Sequence, residues 1–178
     1  MVKEIYTWTK AIVFALIITF ICREFIFSPV LVQGESMQPT FENNDKIIVA
    51  KSSKIERFDM IVFHAKNLQE NHIKRVIGLP GDRVEMKDDR LYINGKEYKE
   101  DYLQMNKESI PMTEHLTGDF NLHDWADNAK VPDESLFVLG DNRRNSTDGR
   151  EYGFIKKDSV IGEVKIRFYP LKEIGIPK

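Results

Sequence analysis

The apolar positions divide the chain into one long run near the N-terminus and a series of short runs behind it. Residues 11–22 contain no charged side chain, and after Arg23 and Glu24 the apolar run resumes up to Pro29. As a helix, residues 11–28 would be about 27 Å long at roughly 1.5 Å per residue, which just reaches across the hydrocarbon core of a bilayer. Pro29 would end such a helix, because its ring clashes with the preceding turn.

The apolar run predicts a transmembrane anchor over residues 11–28 that follows a cytoplasmic tail over residues 1–10. Lys3 and Lys10 place positive charge before the span, which favours a cytoplasmic N-terminus and a body on the outer side of the membrane. A cleaved signal peptide and a buried core helix are the alternatives. The continuation of the run past Arg23 is untypical of a signal peptide.

The body over residues 29–178 carries only short apolar runs, which are typical of β-strands. Continuous runs at residues 46–50 (KIIVA), 60–63 (MIVF) and 73–79 (IKRVIGL) predict strands that are buried on both faces. Residues 99–135 are the least regular stretch and predict loops with room for one short helix. No segment after residue 30 has a long helical stripe, so the body is predicted to be mainly β.

Composition excludes several classes of function. The 178 residues carry a formal net charge of −2, which gives no general attraction to nucleic acid. The single cysteine, Cys22, excludes an internal disulfide, and none of the 4 histidines falls in a metal-ligand spacing. Nucleotide-binding glycine patterns are also missing from the sequence. We therefore expect no cofactor, no metal and no nucleic-acid partner.

A serine framed by glycine and proline is the first candidate for chemistry. Residues 34–40 have the sequence GESMQPT. Gly34 allows another backbone to approach closely, and Pro39 stiffens the segment, so the two would present the Ser36 hydroxyl beside its own N–H. The alternative is an ordinary polar turn, which these residues alone favour.

A lysine inside an apolar strand is the second candidate, in the segment HIKRVI at residues 72–77. An exposed lysine has a pKa of about 10.4, too high for a base at neutral pH, but burial can lower the pKa by up to about 3–5 units. A buried Lys74 could then activate a serine hydroxyl. Strand alternation puts Lys74 and Arg75 on opposite faces and leaves open which one points inward. A solvated lysine at a strand edge is the alternative.

A dense polar loop, GDNRRNSTDGR at residues 140–150, is the third candidate. The loop directly follows an apolar run, which would hold its side chains near the core. Asp148 and Arg150 could form an ion pair there, and Ser146 could orient a neighbouring side chain. The alternative is a long solvated turn.

Taken in order along nearly the whole chain, the apolar run and the segments SMQPT, KRVIGLPGD and GDNRRNSTDGR resemble the bacterial type I signal peptidases. The short body is similar to the compact Gram-positive type of that family. The resemblance implies a mainly β catalytic domain of coiled antiparallel sheets, partly open and barrel-like, preceded by one transmembrane helix. It also implies a membrane-bound enzyme that removes signal peptides from exported preproteins at the outer face of the cytoplasmic membrane.

The resemblance also implies a serine–lysine dyad. Ser36 would be the nucleophile of an acyl transfer, and Lys74 would be its general base. The Ser36 backbone N–H would stabilise the oxyanion. Gly34 stands where some members of the family carry a serine whose hydroxyl also donates to the oxyanion, and a glycine has no such hydroxyl.

The polar loop would support the dyad. By the resemblance, Ser146 holds the lysine in place, and Asp148 and Arg150 form a structural ion pair. Asp141 belongs to the same motif and is expected to support the site as well. Phe58 departs from the family pattern, because a glycine is usual at this position, and we interpret it as a local change of turn.

The implied substrates are preproteins whose signal peptides carry small residues at positions −1 and −3 from the cut. Val32, Met37 and Ile73 match family positions that line the shallow pockets for those residues. Met37 and Ile73 are also ordinary choices for a hydrophobic core. The other implied partner is the lipid bilayer.

Two other functions share part of this pattern. Self-cleaving repressors also pair a serine with a lysine near a similar Ser-Met-x-Pro segment, but they are expected to carry a DNA-binding helix-turn-helix where this chain has an apolar run. A membrane-tethered β domain that binds peptides without cleaving them is the non-enzymatic alternative. Hydrolysis of a signal peptide separates this alternative from the peptidase.

Overall fold

The computed structural model describes residues 1–21, 23, 26–65, 70–124 and 129–177. Its helices are α1 (Val2–Ile21), α2 (Gln104–Glu108) and α3 (Gly149–Tyr152). Its strands are β1 (Phe27–Leu31), β2 (Lys46–Ala50), β3 (Met60–Ala65), β4 (Glu70–Gly78), β5 (Val84–Lys87), β6 (Arg90–Ile93), β7 (Lys96–Tyr98), β8 (Phe120–Asn121), β9 (Ser135–Leu139), β10 (Ile155–Lys156) and β11 (Val160–Tyr169).

Two sheets build the body. The larger sheet has seven strands in the order β1-β2-β11-β3-β4-β9-β10, and the smaller has four in the order β7-β6-β5-β8. Every described strand pair is antiparallel. The prediction of a mainly β domain of antiparallel sheets is therefore confirmed. In the described residues the larger sheet is open, with β1 and β10 as its edge strands.

Strand β4 lies inside the larger sheet, and both of its faces are covered. All of residues 73–78 are buried. Ile73 belongs to an apolar cluster on one face, and Val76 belongs to a different cluster on the other. Burial on both faces explains the continuous apolar run in the sequence, and it leaves the lysine at position 74 among apolar neighbours.

The predicted helical span over residues 11–28 is wrong at its C-terminal end. Helix α1 ends at Ile21, and Phe27 and Ser28 belong to β1, where they pair with β2. This pairing gives their backbone groups hydrogen-bond partners, and β1 tolerates Pro29 because it is an edge strand. The rest of the predicted span includes residues outside the described part of the chain, namely 22, 24 and 25.

Helix α1 exposes its apolar side chains. Phe14 and Phe20 are each 65% exposed, and Trp8 is 71% exposed. A surface helix of a globular domain buries an apolar stripe against the body, and α1 does not. Within the described part of the chain, no helix combines the length and the apolar character needed to cross a membrane.

Gly162 in β11 tests the packing of the larger sheet. A Cβ atom at this position would lie 2.6 Å from the carbonyl oxygen of Ala50, which is backbone and cannot rotate away. We expect Gly162→Ala to lower the free energy of unfolding by about 1–3 kcal/mol, measured by chemical denaturation. The matched control is Gly118→Ala, because no atom lies within 4 Å of the position of its Cβ. Equal stability of the two variants would contradict the observed approach of β11 to β2.

Candidate active site

Ser36 lies in the turn that follows β1. The turn folds around two buried side chains, Met37 and Phe41. The Phe41 N–H donates to the Met37 carbonyl oxygen at 3.0 Å, and the Gln38 N–H donates to the Glu35 carbonyl oxygen at 3.1 Å. Ser36 itself is half-buried, so the apolar anchors beside it fix where its hydroxyl lies.

Lys74 reaches Ser36 from β4. Its Nζ donates to Ser36 Oγ at 2.6 Å and to the carbonyl oxygen of Ile73 at 3.1 Å. Strand alternation left open which of Lys74 and Arg75 points inward. Both residues are 3% exposed, so both faces of the strand are buried at these positions. Of the two side chains, Lys74 is the one that contacts the serine.

Burial lowers the pKa of Lys74 from its ordinary value of 10.5 to about 8. The negative charges of Asp148 and Asp141 act in the opposite direction and limit the decrease. With a pKa of about 8, roughly a tenth of the lysine is neutral at pH 7, compared with less than about a thousandth for an ordinary lysine. Lys74 can therefore accept a proton from Ser36 at a pH close to neutral.

Asp141 connects β4 to the serine turn. Its carboxylate accepts two hydrogen bonds from Arg75, at 2.9 Å and 2.6 Å, and one from the Thr40 hydroxyl at 2.6 Å. Asp141 is fully buried, and its partner Arg75 also donates to the carbonyl oxygen of Phe58. A buried carboxylate with three donors is a rigid tie between the two segments that carry the dyad.

Asp148 and Arg150 form an ion pair at the start of α3. Two N–H groups of the Arg150 guanidinium donate to the Asp148 carboxylate, at 2.9 Å and 2.8 Å. The carboxylate also accepts the Gly140 N–H at 2.9 Å. Burial by itself raises the pKa of Asp148, but the hydrogen bonds and charge of Arg150 outweigh it and hold the pKa below its usual range. Asp148 therefore stays ionised and holds both ends of the polar loop.

Ser146 lies beside the dyad without a hydrogen bond. Its Oγ is buried and has no partner among the described residues. A Cβ atom on Gly140 would collide both with Ser146 Oγ and with the Ser36 carbonyl oxygen, so these groups are packed tightly together. Ser146 Oγ therefore makes no hydrogen bond to Lys74 in this structure, and the role of Ser146 stays a prediction.

The backbone at Gly34 explains why a glycine is found there. Its φ is +83°, a conformation that favours glycine. Its N–H donates to Asn43 Oδ1 at 3.0 Å, so Gly34 offers no free donor to an oxyanion. The Ser36 N–H, by contrast, has no acceptor among the described residues and is free to donate.

An open cleft of about 1060 Å³ leads to the dyad. One wall is β1, and the other is the first half of β4, residues 70–74. Strand β1 pairs only with β2, and β9 pairs with β4 only from Arg75 onward. Among the described strands, both walls of the cleft therefore present a free backbone edge.

The three predicted pocket residues differ in their positions. All three belong to the same buried apolar cluster, but only Ile73 also lines the cleft. His72, which the sequence did not single out, also lines the cleft. Burial, and to a lesser degree the charge of Lys74, lowers the pKa of His72. Strand β4 and the turn that carries Ser36 therefore both contribute to the wall of the cleft.

Sequence patterns missed several side chains that hold the site together. Asn106 in α2 donates to the carbonyl oxygens of Gln38 and Asp141, at 3.2 Å and 3.3 Å. Arg143 in the polar loop forms a buried ion pair with Glu100. Asn106 and Glu100 lie in the stretch of residues 99–135 that was predicted to be irregular, where no local motif marks them. Among the described residues, no three His, Cys, Asp or Glu side chains are grouped so that they could hold a metal ion.

Phe58 adopts a backbone conformation that favours glycine. Its φ is +72°, which is uncommon for a bulky residue. Its ring packs against Tyr98 and Tyr102, with centroids 6.0 Å and 5.9 Å away, and its carbonyl oxygen accepts a hydrogen bond from Arg75. Aromatic packing thus stabilises a backbone conformation that is otherwise strained.

Comparisons with known proteins show which family the chain resembles. The family described as "Signal peptidase, peptidase S26" matches residues 5–169. The chain belongs to this family. The chain is therefore a peptidase of the serine endopeptidase class.

Similar proteins of this family match most of the chain. A signal peptidase I of Bacillus caldolyticus is 46% identical over 157 residues, which cover 86% of this chain and 85% of the relative. The signal peptidase I S of Bacillus subtilis is 43% identical over 179 residues, which cover 97% and 93%. A crystal structure of a signal peptidase I from Enterococcus faecalis is 44% identical with a TM-score of 0.60, and covers 62% of this chain and 97% of that one.

The pH dependence of peptide hydrolysis tests the state of Lys74. A general base acts only when it is unprotonated, so a base role for Lys74 predicts that kcat/KM is low in acid and rises as Lys74 loses its proton. The midpoint should lie at about 8, the pKa of the buried amine. A profile that is flat between about pH 6 and pH 9 would contradict a titrating lysine base.

Proposed function

We propose that this chain removes N-terminal signal peptides from exported preproteins, with Ser36 as nucleophile and Lys74 as general base. The observation that carries the proposal is the 2.6 Å hydrogen bond between Lys74 Nζ and Ser36 Oγ. Its relatives in Bacillus are named signal peptidases I, which supports the same substrate class. None of the 4 histidines takes part in the contact between nucleophile and base.

Acylation starts from the neutral amine. Lys74 Nζ takes the hydroxyl proton as Ser36 Oγ attacks the scissile carbonyl carbon. The negative charge that develops on the carbonyl oxygen accepts a hydrogen bond from the Ser36 N–H. The Lys74 ammonium then gives its proton to the departing amine, and the peptide bond breaks.

Deacylation repeats these steps with water. Lys74, neutral again, removes a proton from a water molecule that attacks the acyl carbon of the Ser36 ester. The ammonium returns the proton to Ser36 Oγ, and the signal peptide leaves as a carboxylate. Asp141, Ser146, Asp148 and Arg150 support both steps by holding the loop against the dyad.

The cleft suits an extended peptide. A strand placed between β1 and residues 70–74 would complete the backbone hydrogen bonds of both free edges, as in β-strand addition. Alternate side chains of such a strand would point at the walls, which the apolar side chains of Ile73 and Val62 help to form. This arrangement supports a preference for small residues at positions −1 and −3, with Val32 and Met37 backing the wall from the core.

We also propose that α1 anchors the chain in the cytoplasmic membrane as a single-pass protein, with a cytoplasmic N-terminus and an extracytoplasmic catalytic domain. The exposed apolar side chains of α1 support attachment to lipid. Lys3 and Lys10 support the orientation. Strand β1 begins at Phe27, six residues after α1 ends at Ile21, so the cleft lies close to the anchor.

Variants of the dyad test the catalytic assignment. We expect Ser36→Ala and Lys74→Ala each to lower kcat for a synthetic signal peptide at least about 10³-fold in detergent, because the two residues act as a unit. The matched control is Lys87→Ala, since Lys87 is an exposed lysine at the end of β5 in the other sheet. Full cleavage by either dyad variant, in folded protein, would exclude the assignment.

Membrane attachment is tested by extraction with alkaline carbonate. The full chain should stay in the membrane pellet, and Phe14→Asp should release part of it, because one Asp in an apolar helix costs about 3 kcal/mol in a bilayer. The control is Met112→Asp, on a fully exposed side chain of the body. Release of the unsubstituted chain, or equal release of both variants, would contradict anchoring by α1.

A further inference from the structure

Glu100 is a buried carboxylate that no catalytic motif includes. It is 7% exposed and pairs with Arg143, a member of the polar loop that is 3% exposed. The Tyr102 hydroxyl donates to the same Glu100 oxygen at 2.7 Å. Two opposite charges buried together in this way cost desolvation energy, which their mutual contacts must offset.

Arg143 is completely occupied by its neighbours. Its Nη1 donates to Thr117 Oγ1 at 3.1 Å and to Glu100 Oε2 at 3.5 Å, while its Nη2 reaches the other Glu100 oxygen and the Tyr102 hydroxyl. Its Nε donates to the Gly140 carbonyl oxygen at 3.0 Å. The guanidinium is rigid and planar, so fixing one end of it by Glu100 fixes the direction of the Nε bond to Gly140.

Gly140 is the point where this pair meets the catalytic site. Its carbonyl oxygen is held by Arg143, and its N–H is held by Asp148. It packs so closely on the Ser36 carbonyl oxygen and on Ser146 Oγ that a Cβ atom could not be accommodated. A shift of Gly140 would therefore move the backbone of Ser36 and the loop that carries Ser146 and Asp148.

We propose that Glu100 is a positioning residue of the peptidase: it fixes Arg143, which fixes Gly140 against the Ser36 carbonyl group and Ser146 Oγ. The proposal rests on the proposed function of Ser36 and Lys74. It gives the stretch of residues 99–135 a direct part in the geometry of the dyad. Misplacement of reacting groups by about 1 Å can cost on the order of 10²-fold in rate, so a small displacement of Gly140 is enough.

Asp82 provides a matched control for the loss of a buried ion pair. Asp82 is also 7% exposed and pairs with an arginine, Arg57, at 2.9 Å. Its other partners are the Leu79 N–H and the Asn94 side chain, in turns away from the polar loop. A purely structural role for Glu100 predicts that both variants behave alike.

The experiment compares Glu100→Gln with Asp82→Asn in the full chain, in detergent, at a temperature where circular dichroism shows both folded. We expect Glu100→Gln to lower kcat about 10-fold or more with less than about a 3-fold change in KM. A loosened loop admits water to Lys74, so the midpoint of the kcat/KM profile should also move to higher pH. Asp82→Asn should keep kcat within about 2-fold and leave the midpoint unchanged.

Three results would overturn the proposal: an unchanged kcat in Glu100→Gln, an unchanged midpoint, or the same changes in Asp82→Asn. If Glu100→Gln does not fold, Tyr102→Phe replaces it, because this change removes the hydrogen bonds of the Tyr102 hydroxyl to Glu100 and Arg143 and keeps both charges. An unaltered pH profile in that variant overturns the proposal equally. A wild-type chain that cleaves no signal peptide, or a Ser36→Ala variant that does, is instead a failure of the proposed function.

Discussion

The proposed mechanism depends on the burial of one ammonium group, that of Lys74. A lysine works as a base near neutral pH only where its charged form is unfavourable, and water must be kept from it to achieve this. Lys74 meets the condition because β4 is covered on both faces at the position where its pairing with β9 begins. The same position leaves the neighbouring edge of β4 free, so Lys74 is buried while the cleft beside it stays open.

The groups that hold the site create an opposing electrostatic effect. Asp141 and Asp148 tie the polar loop to the dyad, yet their negative charges favour the protonated lysine and so raise its pKa. Each carboxylate is bonded to its own arginine, Arg75 for Asp141 and Arg150 for Asp148. The pairing reduces the negative charge that Lys74 experiences, and it lets the carboxylates organise the loop without cancelling the effect of burial.

Local patterns predicted those parts of the fold that short-range physics determines. The apolar runs at residues 46–50 and 60–63 lie within β2 and β3, and the run at 73–79 covers most of β4. The hydrogen bond between Lys74 and Ser36 was expected only from the family resemblance, because the residues around Ser36 by themselves favour an ordinary polar turn. The burial of both Lys74 and Arg75 was not predicted, because strand alternation is uninformative in a strand that is covered on both faces.

Contacts between segments that are distant in the sequence could not be predicted from local patterns. Glu100 and Arg143 are 43 residues apart, and Thr40 and Asp141 are 101 apart, so nothing in either local sequence points to the other. The C-terminal end of the predicted helix was wrong for a similar reason. Phe27 and Ser28 pair with β2, a strand that lies further along the chain. Tertiary pairing outweighed the local preference for continuing a helix.

A direct titration of Lys74 tests the central claim of a buried, readily deprotonated base. The chain would be produced with 15N-labelled lysine, and the Nζ resonance of Lys74, assigned by its loss in Lys74→Ala, would be followed against pH. A pKa of about 8 is predicted from burial. A pKa at or above about 10, as for an exposed lysine, would contradict the account.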